Sequence, residues 1–100
     1  MGEAFRLLEV RVRTVSELTS SSVQLTRDAF NEDTGPLRSQ STDKAERQAL
    51  AHLFAGAFGW VRNPAMHRDL DIDDVHHAVE QLMLASLLLR MVDAHDWLLR

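Results

Sequence analysis

A chain of 100 residues is long enough for one modest core, burying about 60–65% of its unfolded surface, and too short for a second domain. Hydrophobic residues at 45% and charged residues at 26%, with two Pro and four Gly, exclude a disordered or low-complexity chain; zero Cys excludes a disulfide scaffold, a Cys-ligated zinc site and a Cys nucleophile. Fifteen acids against eleven bases leave a net charge of −4, which argues against gripping nucleic acid by bulk electrostatics.

The segment Met1-Gly2-Glu3-Ala4-Phe5 has no basic stretch ahead of an apolar one, so it does not read as a signal peptide. The spacing predicts a first helix over residues 3–18, with Phe5, Leu8, Val12 and Val15 as its apolar stripe. Thr19-Ser20-Ser21-Ser22 should end it, because hydroxyl side chains compete for backbone hydrogen bonds. A short second helix is expected over 22–30, with Val23, Thr26, Ala29 and Phe30 inward. Residues 31–42 carry loop chemistry, with Gly35-Pro36 as a turn. Asp43, followed three residues later by Glu46, has the capping-box pattern and opens a third helix to about Val61. Its apolar face is Leu50, Leu53, Phe54, Ala57, Phe58 and Val61, and small Ala51, Ala55 and Gly59 would let another helix approach closely. Asn63-Pro64 must end or kink this helix, since the residue before Pro is disfavoured in the α region. Asp71 is the expected cap of the last helix, with Asp73 and Asp74 in its positive first turn. Val75, Val79, Leu82, Ser86, Leu89 and Val92 are expected to line one face of it, and Met83, Leu87 and Met91 a second. Strand patterns are nearly absent, so the fold class is all-α: a bundle of three long helices and one or two short ones. The two long helices beside Pro64 are expected to be antiparallel neighbours across a turn of under about ten residues.

No apolar run approaches the roughly 18 residues that span a bilayer, so no membrane partner is expected, and the cytoplasm is the expected compartment. No metal and no cofactor are expected either. His76 and His77 are adjacent, hence about 100° apart on a helix, and no His-Glu-x-x-His or glycine-rich phosphate loop is present. What stands out is Arg62-Asn63-Pro64-Ala65-Met66-His67-Arg68. The spacing Arg, four residues, His also occurs at Arg47/His52 and Arg90/His95, so spacing alone selects none of the three pairs. Residues five apart on a straight helix are turned about 140° from each other. Only Arg62/His67 spans a proline break that can re-aim one side chain toward the other. His titrates near neutrality and can act as general acid or base, while Arg holds a phosphate and its developing charge without losing its proton. Asn63 could orient an oxygen or cap the next turn. The plainer alternative is an Arg closing the carbonyls of the third helix and a His on a surface turn. Ten of the eleven bases are Arg, a bias that GC-rich codon usage explains as simply as phosphate binding does.

The stretch from Ala49 through Phe58, then Arg62-Asn63-Pro64-Ala65-Met66-His67-Arg68, then Leu82 through Arg90, resembles the Ymh-type family of bacterial proteins. Leu7-Leu8-Glu9, Ala29-Phe30-Asn31 and Gly35-Pro36-Leu37 resemble its earlier blocks, so the likeness covers nearly the whole chain. That family is grouped with the HEPN superfamily, helical domains carrying an Arg, four to six residues, His motif. Arg62 and His67 fill the motif positions, and Asn63 fills the polar position after the Arg. The resemblance implies one HEPN-like domain over residues 1–100, which in longer family members would form the C-terminal part. It also implies a metal-independent endoribonuclease of toxin–antitoxin or phage-defence type. Two protomers would pair so that both motifs meet one RNA phosphate, with Arg62, Asn63 and His67 catalytic and Arg68 binding substrate. The implied partners are RNA, a second copy, and an antitoxin or N-terminal domain. The alternative is a non-catalytic HEPN interaction module or a nucleotide- or nucleic-acid-binding module. Trp60 or the Met83/Leu87/Met91 stripe is expected in the seam between copies.

Overall fold

The computed structural model describes residues 3–62 and 75–98. They form four helices, α1 (Glu3–Ser16), α2 (Ser22–Ala29), α3 (Lys44–Arg62) and α4 (Val75–Leu98), and no strand among the described residues. The all-α class expected from the periodicity is what the chain adopts.

α1 stops at Ser16, two residues before the expected end. Glu17 takes a left-handed φ of 62°, and its N–H bonds the Arg13 carbonyl at 2.9 Å. Ser16 Oγ then accepts the Leu18 N–H at 3.3 Å, so the turn is closed ahead of the Thr19–Ser22 cluster. Phe5, Leu8 and Val12 are buried as the stripe predicted; Ser16 completes it at the fourth position, and Val15 packs at the edge of the core. Glu9 ties α1 to the start of α2. Its carboxylate accepts from Arg13 Nη2 at 3.0 Å and from the backbone N–H of Ser22, also at 3.0 Å. That second bond helps hold Ser22 at a φ of 56°.

In α2 the buried residues are Leu25, Thr26 and Ala29, with Phe30 just beyond; Val23, expected inward, is only half-buried. Residues 31–43 are loop, as expected, but a built one. Asn31 Oδ1 accepts the N–H groups of Asp33 and Thr34 at 2.9 and 3.0 Å, and the Gly35 N–H bonds the Asn31 carbonyl at 3.0 Å. A Cβ on Gly35 would lie 2.4 Å from the Ala29 carbonyl oxygen, so only glycine lets the chain fold back this tightly. The return drops Leu37 into the core at 1% exposure, its N–H on the Ala29 carbonyl at 2.8 Å.

Asp43 caps α3 through its side chain, with Oδ1 accepting the Ala45 N–H at 2.9 Å. The reciprocal arm of a capping box is not made, because the Asp43 N–H bonds Ser41 Oγ at 3.0 Å instead. Phe54, Phe58 and Val61 are buried, whereas Leu53, expected in the core, is 43% exposed. Phe30 stacks on Phe54 with centroids 3.9 Å apart, and Phe5 meets Phe58 edge-on at 5.7 Å. The small-residue expectation is realised at Gly59, where a Cβ would sit 3.5 Å from Val23 Cγ2 of α2.

Two expectations about packing are overturned. α4 buries Ala85, Leu88 and Val92, with Leu84, Leu89 and Met91 beside them. Val75 (72%), Val79, Leu82, Met83 (65%) and Leu87, assigned to its two apolar faces, stand exposed. α1 fixes which side is buried, through packing and an Arg11 Nε–Asp93 Oδ1 contact of 2.7 Å. α3 and α4 are also not close neighbours along their length. Residues 63–74 separate them, and the closely packed pairs among the described residues are α2 with α3, α1 with α4 and α1 with α2. Asp71, Asp73 and Asp74, the expected cap and first turn, lie outside the described residues.

Candidate functional site at the end of helix α3

α3 extends to the motif arginine, Arg62. Asn63, His67 and Arg68 lie outside the described residues. The other two Arg/His pairs stand where their sequence context put them. Arg47 and His52 both fall inside α3, and Arg90 and His95 both fall inside α4. An unbroken helix turns each pair about 140° apart. The Arg47 guanidinium is moreover committed to the backbone: Nε donates to the Glu32 carbonyl and Nη1 to the Ser41 carbonyl, both at 3.0 Å. Arg47 is thus the clasp that ties the 31–43 loop to α3.

Beside the end of α3 lies a contact that periodicity did not reveal. The Trp60 ring, two residues before Arg62, meets the His77 ring of α4 with centroids 5.8 Å apart and planes tilted by 50°. His77 Nε2 is 3.1 Å from Gln81 Nε2. Trp60, His77, Glu80, Gln81 and Leu84 line a small cleft of about 180 Å³ there. In the sequence His77 could be weighed only against its neighbour His76, as a metal pair. A ring–ring contact across 17 positions leaves no mark in local spacing. Among the described residues no three His, Cys, Asp or Glu side chains are grouped to hold a metal ion. No helix among them is long and apolar enough to cross a membrane.

Residues 1–92 match the family described as "Protein of unknown function (Hypoth_ymh)". The chain belongs to the Hypoth_ymh family. Comparison with curated proteins and with solved structures returns no significant match. In this Hypoth_ymh chain the match takes in all of α1, α2 and α3, the segment from Arg62 to Arg68, and α4 as far as Val92.

Proposed function

We propose that this Hypoth_ymh chain is a HEPN-type, metal-independent endoribonuclease. Arg62 and His67 are its catalytic pair, Asn63 orients a phosphate oxygen and Arg68 holds the flanking strand. The feature that supports the reading is Asn63-Pro64 directly after Arg62 in the sequence: this pair spans a proline, whereas Arg47/His52 and Arg90/His95 lie inside α3 and α4. Cleavage by internal attack of a 2′-hydroxyl needs a base to take that proton and an acid to protonate the leaving oxygen. One His supplies one such group, and a two-fold axis beside the motif supplies the second without a new residue type. Arg62 neutralises the charge that builds on the phosphorane, and its planar fork suits two phosphate oxygens at once. The exposed apolar face of α4 is the surface assigned to the second copy, and a role in phage defence or as a toxin restrained by an antitoxin fits such a nuclease.

The test is incubation of total RNA with pure protein in EDTA. Wild type is expected to cut. His67→Ala should lose about 10²–10⁴ in rate, the usual worth of a general acid–base group. Arg62→Lys should not recover full rate, because an ammonium cannot make the bidentate contact. His95→Ala should stay within a few fold of wild type. Cleavage that EDTA stops, or that survives His67→Ala, overturns the assignment; an inactive wild-type protein that still binds partner or RNA puts a non-catalytic binding module in its place.

A further inference from the structure

A second feature lies on α3, in a cleft of about 510 Å³ between α2 with the loop after it and α3. That volume falls in the range of small-molecule sites, roughly 300–1,000 Å³. The two helices run antiparallel: Val23 lies by Gly59, Phe30 stacks on Phe54, and the Glu32 carbonyl accepts from Arg47. Arg27 therefore lies toward the Gly56 end of the cleft and Glu32 toward the Gln48 end, about 12 Å apart along α3 at 1.5 Å per residue.

Apart from Asn31, whose Oδ1 holds the loop, the polar side chains lining this cleft are left unspent by the fold. Arg27, Gln48 and His52 make no hydrogen bond or ion pair with any described residue. Glu32 Oε2 is buried with no hydrogen-bond partner, an arrangement that folded proteins seldom leave standing. The terminal torsion of a Glu side chain is soft, so a small rotation offers the carboxylate to a donor in the cleft. Between the two ends the α3 surface is flat and small: Ala51, Ala55 and Gly56, with nothing within 4 Å of where a Gly56 Cβ would lie.

We infer that this cleft binds a guanine nucleotide. The anion sits at the Arg27 end, the planar base lies on the Ala51/Ala55/Gly56 shelf beside His52, and the base edge meets Glu32. An ionised carboxylate only accepts hydrogen bonds. Guanine presents two adjacent donors, N1–H and the N2 amino group, where adenine presents its amino group alone beside an acceptor. Glu32 therefore selects guanine, and the Gln48 amide can serve the neighbouring O6. The site requires neither Arg62 nor His67, so it stands or falls separately from the nuclease reading. The ligand's source is either the free nucleotide or a guanosine within an RNA strand, and one experiment separates them.

Isothermal titration calorimetry on the full chain uses GMP, AMP, and two short 2′-O-methyl oligonucleotides, one with a single guanine and one without; these cannot be cut. GMP is expected to bind in the micromolar to millimolar range and AMP at least tenfold more weakly. Glu32→Gln and Arg27→Ala should each weaken GMP at least tenfold. Gly56→Leu, at a position with open space around its Cβ, should fill the shelf and abolish binding while leaving the helical circular dichroism unchanged. A guanine oligonucleotide that binds more tightly than GMP, with the same losses in the variants, makes an RNA guanosine the ligand; GMP binding with no gain from the strand makes it the free nucleotide. No heat with GMP at millimolar concentration, equal binding of GMP and AMP, or a Gly56→Leu protein that binds like wild type overturns the site.

Discussion

At the scale of single residues, the chain spends its unusual conformations on the link between α1 and α2. Glu17 sits at φ 62° and Ser22 at φ 56°, each a left-handed conformation that costs a non-glycine residue of order 1–3 kcal/mol. Gly35 is different in kind: its backbone is unstrained, and what it supplies is the absence of a Cβ 2.4 Å from the Ala29 carbonyl oxygen. Gly35→Ala should therefore destabilise the fold by about 1–3 kcal/mol, because Leu37 is pulled from the core as the loop backs away. Thermal melting should show it as a loss of roughly 4–8 °C per kcal/mol. Glu17→Gly should act the opposite way, raising stability by about 0.5–1 kcal/mol in urea titration, since glycine takes the left-handed position without steric cost. The need for glycine at position 35 could be guessed from Gly35-Pro36 as a turn. The burial of Leu37 could not, because one apolar residue among polar ones has no period to read.

At the scale of elements, α3 and α4 show how far periodicity reaches. α3 has a polar side, so its inward Phe54 and Phe58 were legible, and so was Asp43 at its start. α4 carries apolar residues all round, and a helix of that kind does not say which side is inside. Val75, Val79, Leu82, Met83 and Leu87 remain outside as a result, an apolar stripe too long for scattered surface residues to explain. If this stripe is the seam between two copies, Leu87→Glu and Met83→Glu should convert a dimer into a folded monomer. Sedimentation velocity would read the change, with circular dichroism within error of wild type, because surface substitutions shift stability by only about 0.5 kcal/mol. Unchanged sedimentation would place the seam elsewhere, with Trp60 the next element to examine.

For the whole molecule, the nuclease reading requires association. Light scattering at tens of micromolar should give twice the chain mass, and an excess of His67→Ala protein should depress wild-type activity, since a mixed pair holds only one of the two proton-transfer groups. A monomer, or wild-type activity unaffected by excess His67→Ala protein, would count against a site built across two chains. His77→Ala should leave cleavage within a few fold if the second proton-transfer group is the partner copy's motif His. A large loss would instead make His77, beside Trp60, that second group.

What the sequence determined by itself is the all-α class, the starts of α1, α2 and α3, the loop between α2 and α3, and membership of a family whose match covers residues 1–92. These depend on local rules: a 3.6-residue apolar period, an Asp cap and a Gly-Pro turn. Tertiary structure alone decided that α4 buries Ala85 and Leu88 rather than Val79 and Leu82, and that α1, not α3, is its close neighbour. It also brought Trp60 against His77 and left Arg27, His52 and an unsatisfied Glu32 around one cleft. Each of those outcomes turns on which helix lies against which. That is set by the summed burial of several faces at once, a quantity no single helix carries in its own spacing.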